Sequence, residues 1–150
     1  MNLMTCCVAI ATASLVACAT PQQRDQQELL RLVKDDLAVE NAECGVYFAK
    51  VAEGLRRSMP AGKEREKEVA DWSKLSKDAF DASRYLIGDQ KSLAYMKIDR
   101  MMNEELEHIA IVQAEYASLC KDLMDTPNKR WDYWMEKEKQ REKELQSTPK

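Results

Sequence analysis

Residues 29–55 read LLRLVKDDLAVENAECGVYFAKVAEGL, and they set the architecture expected of the whole chain. Leu30, Val33, Leu37, Cys44, Tyr47, Phe48, Val51 and Leu55 follow the three- and four-residue spacing of one buried α-helical stripe. Glu40 and Asn41 interrupt the row, and most residues in such positions sit at the stripe's edge. Gly45, beside Cys44, would let another helix approach closely. The spacing predicts a first helix from about Arg24 to Ser58. Ser58-Met59-Pro60-Ala61-Gly62 then stops it, with proline and glycine together.

Downstream the pattern repeats. A second helix is predicted over Lys63 to Ile87. It opens on the charge-alternating run Lys63-Glu64-Arg65-Glu66-Lys67-Glu68 and continues with the stripe Val69, Trp72, Leu75, Ala79, Phe80, Ala82, Leu86 and Ile87. Gly88-Asp89 marks the next break, because glycine suits a left-handed helix end and Asp89 can cap the next helix. A third helix is predicted from Gln90 to Met124, carried by Ile98, Met102, Leu106, Ile109, Gln113, Tyr116, Cys120 and Leu123. Asp125-Thr126-Pro127-Asn128 ends it. A fourth begins near Lys129, carries Trp131, Tyr133, Trp134 and Met135, and runs into a charged tail that should fray. With few glycines and prolines and abundant Ala, Leu, Glu, Lys and Met, composition favours helix over strand. The fold expected is all-α: an antiparallel bundle of three main helices and a C-terminal fourth, over residues 24–150.

Upstream lies a different kind of sequence. Leu3 to Ala17 is apolar and uncharged, and Leu15-Val16-Ala17-Cys18 closes it just ahead of Pro21-Gln22-Gln23. This resembles the signal peptide and lipobox of a bacterial lipoprotein. The run is shorter than the roughly 20 apolar residues of a membrane-spanning helix and is studded with Thr5, Thr12 and Ser14. No basic residue precedes it. The resemblance implies cleavage of residues 1–17, diacylglycerol and usually a third acyl chain on Cys18, and a short tether over residues 18–23. Each buried CH₂ of such an anchor contributes about 0.8 kcal/mol. Ala19 in the position after the cysteine, where Asp would direct retention, implies the outer membrane, with the domain facing the periplasm.

Five cysteines then sort by place. Cys6 and Cys7 leave with the leader and Cys18 is acylated, so Cys44 and Cys120 remain as an even pair in a chain bound for an oxidising compartment. A bridge between them would close a loop of about 76 residues, worth roughly 3–5 kcal/mol in the chain-entropy account; the alternative is two separate buried thiols. Straight antiparallel rods rising about 1.5 Å per residue oppose the bridge. They leave Cys44 about 21 Å below the first turn and Cys120 about 9 Å above it, if the second turn is at Gly88. A later turn, near Asp99 to Asn103, would bring the two level.

Chemistry is sparse. Glu105 and His108 have the Glu-x-x-His spacing of ferritin-like di-iron bundles, but those need two such motifs, and the chain has a single histidine. No cofactor or metal is expected. Eight methionines, including Met96, Met101 and Met102, show no dense motif and are expected to fill core. No phosphate-cradling glycine loop and no activated nucleophile stand out. The net charge is −3 with both signs interleaved, which excludes the basic stripe of a nucleic-acid binder. Trp131, Tyr133 and Trp134 beside Lys129 and Arg130 are expected to fold back and cap the open end of the bundle, because a small bundle needs the buried area; the alternative is a partner or membrane surface. The function expected is a non-catalytic, lipid-anchored module for protein binding or envelope assembly. Alternatives are a lipoprotein that excludes phage or plasmid DNA by blocking a membrane receptor, and a periplasmic ligand or metal carrier.

Overall fold

In the computed structural model the described residues are 21–88, 90–103 and 106–147, and the Leu15–Cys18 segment lies outside them. They form an all-α bundle with no strand among the described residues. Its helices are α1 (Pro21–Ser58), α2 (Lys63–Ile87), α3 (Lys91–Asn103), α4 (Leu106–Asp125) and α5 (Pro127–Ser147).

The punctuation acts locally. Ser58 Oγ donates to the Gly54 carbonyl and Met59 N–H to that of Leu55, closing α1 just ahead of Pro60. Glu64 and Glu66 occupy the first turn of α2, where negative charge complements the helix dipole. Gly88 takes φ 105°, a value that favours glycine, and its N–H donates to the Arg84 carbonyl to finish α2. Thr126 alone separates α4 from α5. Its hydroxyl and N–H donate back to the Asp122 carbonyl, and Pro127 opens α5 where a missing N–H costs nothing. The proline therefore starts the fourth expected helix two residues before Lys129 rather than ending its predecessor.

α1 is the spine. α2 returns along it, with the Arg65 guanidinium at the carbonyls of Arg56 and Met59 near the turn and Ser76 Oγ donating to Gly45 O farther on, at 2.7 Å. α3 runs in the direction of α1, pairing Lys97 with Glu43 and Asp99 with Lys50, each at 2.6 Å. α4 descends with Tyr116 and Cys120 against Glu43 and Cys44. α5 continues down the lower half of α1, from Arg130 at Glu40 to Arg141 beside Leu29 and Leu32.

Enclosure by neighbours corrects the single-stripe reading of α1. From Glu40 to Phe48 every residue is buried, on all sides of the helix, which is the signature of a helix inside a bundle rather than at its edge. Glu40 and Asn41 are therefore interior. Gly45 admits the Phe80 ring of α2: a Cβ there would stand 2.8 Å from two ring carbons.

The helix expected over Gln90–Met124 is two helices. α3 ends at Asn103 and α4 starts at Leu106. The break at Gly88 is present; residues 99–103, where a later turn was expected, are helical, and α4 runs back from Leu106, which resolves the conflict posed by straight rods. α3 rises about 20 Å at 1.5 Å per residue and α4 comes back, so Cys120 meets Cys44 with α-carbons 5.4 Å apart and a disulfide joins them. Gln113, expected in the stripe, faces solvent.

Candidate functional site

Three features are candidates: a polar clasp inside the bundle, the aromatic cluster of α5, and an apolar face between α2 and α4. The clasp sits on the central turns of α1. Arg130 of α5 grips Glu40 with two nitrogens, Nε lying 3.2 Å from Oε2 and Nη2 on Oε1. One turn on, Glu43 Oε1 takes the Lys97 ammonium of α3 at 2.6 Å, and its Oε2 accepts the Tyr116 hydroxyl of α4 at 2.8 Å. Asn41 Nδ2 donates to the Leu37 carbonyl within the same helix. Burial first, then the bond to Glu43 and its charge, push the Tyr116 phenol far above its ordinary range.

All four carboxylate oxygens of Glu40 and Glu43 are engaged. Each of these oxygens accepts one bond from another helix, which fixes both carboxylates in place. Together with Cys44–Cys120, the clasp ties α3, α4 and α5 to one stretch of α1, so its work is cohesion.

In the α5 cluster, Trp131 and Trp134 are half-buried against the core, and Arg130 is committed to Glu40. The folding-back reading describes these residues. Tyr133 is different: it is 46 % exposed, with the Arg130 guanidinium 4.3 Å from its ring centroid and the Lys137 ammonium at 5.5 Å. Lys137 also stands 4.5 Å over Trp134, whose buried Nε1 has no hydrogen-bond partner. Of the four residues named from sequence, Tyr133 keeps the most accessible surface.

Between α2 and α4 two open apolar hollows line the side of α1. One, of about 220 Å³, has walls of Tyr47, Phe48, Trp72, Leu75, Cys120 and Met124. The other, of about 270 Å³, is walled by Leu37, Tyr85, Leu86, Leu123, Pro127 and Trp131. Tyr85 is 90 % exposed at its rim. It falls outside the stripe expected for α2; the available signal was an aromatic on that helix's polar side. Met96 corrects the expectation that methionines fill core, since it is 59 % exposed on α3. The side chains of Met101, Met102 and His108 lie outside the described residues, as does Glu105.

Among the described residues no group of three or more His, Cys, Asp or Glu side chains is arranged to hold a metal ion. Nor is any described helix long and apolar enough to cross a membrane. No family model, curated protein or solved structure matches this chain.

Proposed function

We propose that this chain is an envelope lipoprotein, anchored through Cys18 to a membrane, most simply the outer one, whose helical domain is a non-catalytic binding or assembly module facing the periplasm. The observation that carries the reading is the Cys44–Cys120 disulfide. A bridge across 76 residues suits a domain that matures where thiols oxidise, and that compartment is where a chain bearing Leu15-Val16-Ala17-Cys18 would be exported. The open apolar face from Trp72 to Trp131 supports contact with another protein, because desolvated aromatics contribute strongly to binding.

Metabolic labelling with a palmitate analogue in a bacterial host tests the anchor. Wild-type protein is expected to take up label and fractionate with membranes, and Cys18→Ser to do neither. Unlabelled wild-type protein recovered in the cytosol would overturn the reading. A photo-crosslinking residue at Tyr85 tests the binding role: a discrete adduct is expected that disappears when Trp72 and Trp131 are both changed to alanine, whereas no adduct in the native host opposes it.

A further inference from the structure

The side of α1 away from the α2–α4 hollows carries a second apolar surface. There Leu93 and Met96 of α3 are 61 % and 59 % exposed, the most open of the large non-aromatic apolar side chains among the described residues. They stand three positions apart on the outer face of a helix whose inner face buries Ala94 and Ile98. Val39 of α1, 42 % exposed, flanks Leu93 across an open hollow of about 180 Å³ that Gln90 and Lys97 also line.

Cations frame this surface. Lys91 lies toward α2, its ammonium 4.8 Å from the centroid of the Phe80 ring. Lys97 lies toward α4, paired with Glu43 and 6.0 Å from the centroid of the Tyr116 ring. Arg100 follows Met96 by four positions and is exposed. α3 carries these three cations against Asp99 alone, an excess of two positive charges in a chain whose net charge is −3, and Asp99 is itself paired with Lys50 of α1. Apolar side chains on the crest of a helix with cations on both flanks suit a lipid interface. The alkyl stems of lysine and arginine cover apolar area while their charged ends reach the headgroups.

We propose that α3 rests on an anionic phospholipid surface, so that the domain lies along the membrane rather than standing on it. α3 meets lipid only if Cys18 is anchored, so this orientation rests on the lipoprotein reading. Lipid is favoured over an acidic protein because the anchor keeps a bilayer within reach at all times. Reach also sets the posture. Glu43, which holds Lys97, comes 22 positions after Pro21 in α1, a rise of about 33 Å at 1.5 Å per residue. An upright α1 would keep α3 that far from the lipid; lying along it brings Leu93, Met96 and Val39 to headgroup level. By helical spacing Val39, Glu43 and Lys50 share one side of α1, and Leu37, Asn41 and Phe48 the opposite side. α3 covers the first side, and the hollows beside Trp72 and Trp131 open on the second. With α3 against lipid, the face offered to another protein points away from the membrane.

Photo-crosslinking of the processed chain tests it, with a benzophenone side chain placed at Met96 or, on the opposite side, at Tyr85. Intact mass shows whether Cys18 carries acyl chains. On acylated protein in host membranes, the Met96 probe is expected to yield phospholipid adducts and the Tyr85 probe none. In vesicles of phosphatidylcholine, adding phosphatidylglycerol is expected to raise the Met96 yield, by up to about fivefold for each cation that meets the headgroups, and Leu93→Glu is expected to lower it. A protein adduct or no adduct at Met96, equal lipid yields at the two positions, or a yield indifferent to phosphatidylglycerol overturns the orientation and leaves the anchor intact. A bare Cys18 overturns the lipoprotein reading, and the orientation falls with it.

Discussion

The upper body and the lower stalk of this molecule use the same residue types to opposite ends. In the body, four helices surround α1, and the buried acids Glu40 and Glu43 have each oxygen bonded to a cation or a phenol. In the stalk one helix faces α1, and the buried acid Glu138 has the Arg141 guanidinium 2.7 Å from an oxygen that accepts no hydrogen bond. A buried charge that is fully partnered holds a bundle in register, whereas one that is half-partnered makes packing depend on conditions. The body should therefore keep its register and the stalk open first.

Removing the covalent tie of the body should have the largest effect. Cys44→Ala with Cys120→Ala is expected to lose about 3–5 kcal/mol, since the loop freed in the unfolded chain is long; urea unfolding of oxidised wild type against the double variant measures it. A loss below about 1 kcal/mol would mean that packing around Ile98, Tyr116 and Leu123 suffices. Next comes the clasp. Tyr116→Phe leaves Glu43 Oε2 without its donor inside the bundle, for an expected loss of about 1–3 kcal/mol, and the loss should be the same at pH 6 and pH 8 because the phenol stays protonated throughout. A strong pH dependence of the difference would show that Glu43 is not held as described.

Gly45→Ala ranks third. Alanine gains about 1 kcal/mol of helix propensity over glycine, but its Cβ would press on the Phe80 ring, and overpacking costs about 1–3 kcal/mol. The ring is wedged between α1 and Tyr95, which stacks on it at 6.2 Å between centroids, so it has little room to retreat. A net loss of about 1 kcal/mol is expected, and Phe80→Leu in the same chain should recover part of it. A neutral or stabilised single variant would indicate that α1 and α2 can part slightly without penalty.

The same division runs through what the sequence disclosed. The all-α class, the Pro60–Gly62 stop, the Gly88 break and the row Val33, Leu37, Cys44, Tyr47 and Phe48 follow from helical periodicity and from glycine and proline chemistry, and these are local. The separation of α3 from α4 was foreshadowed only as a demand of the cysteine pair, and placed too early, at Asp99 to Asn103: Met101-Met102-Asn103-Glu104-Glu105 contains neither glycine nor proline, and glutamate and methionine favour helix. Glu40 reads as an edge residue, and Glu43 stands outside the apolar row, because their partners Arg130, Lys97 and Tyr116 lie 54 to 90 positions away. No pattern in one helix reports a cation arriving from another. For Tyr85, and for the half-buried tryptophans of α5, periodicity told which face each residue occupies but not what covers that face.

Glu138→Gln should have the smallest effect of these and the most informative sign. The amide keeps the shape of the side chain but gives up the attraction of the Arg141 guanidinium, 2.7 Å from Glu138 Oε1. That oxygen is buried without a hydrogen bond, and replacing a poorly compensated buried charge is often favourable, so the substitution is expected to stabilise α5 docking by less than about 1 kcal/mol. Thermal unfolding followed by tryptophan fluorescence would register the shift. A clear destabilisation would mean that Glu138 serves the stalk as Glu40 serves the body, through its cation, and the contrast between the two regions would then reduce to the number of helices around α1.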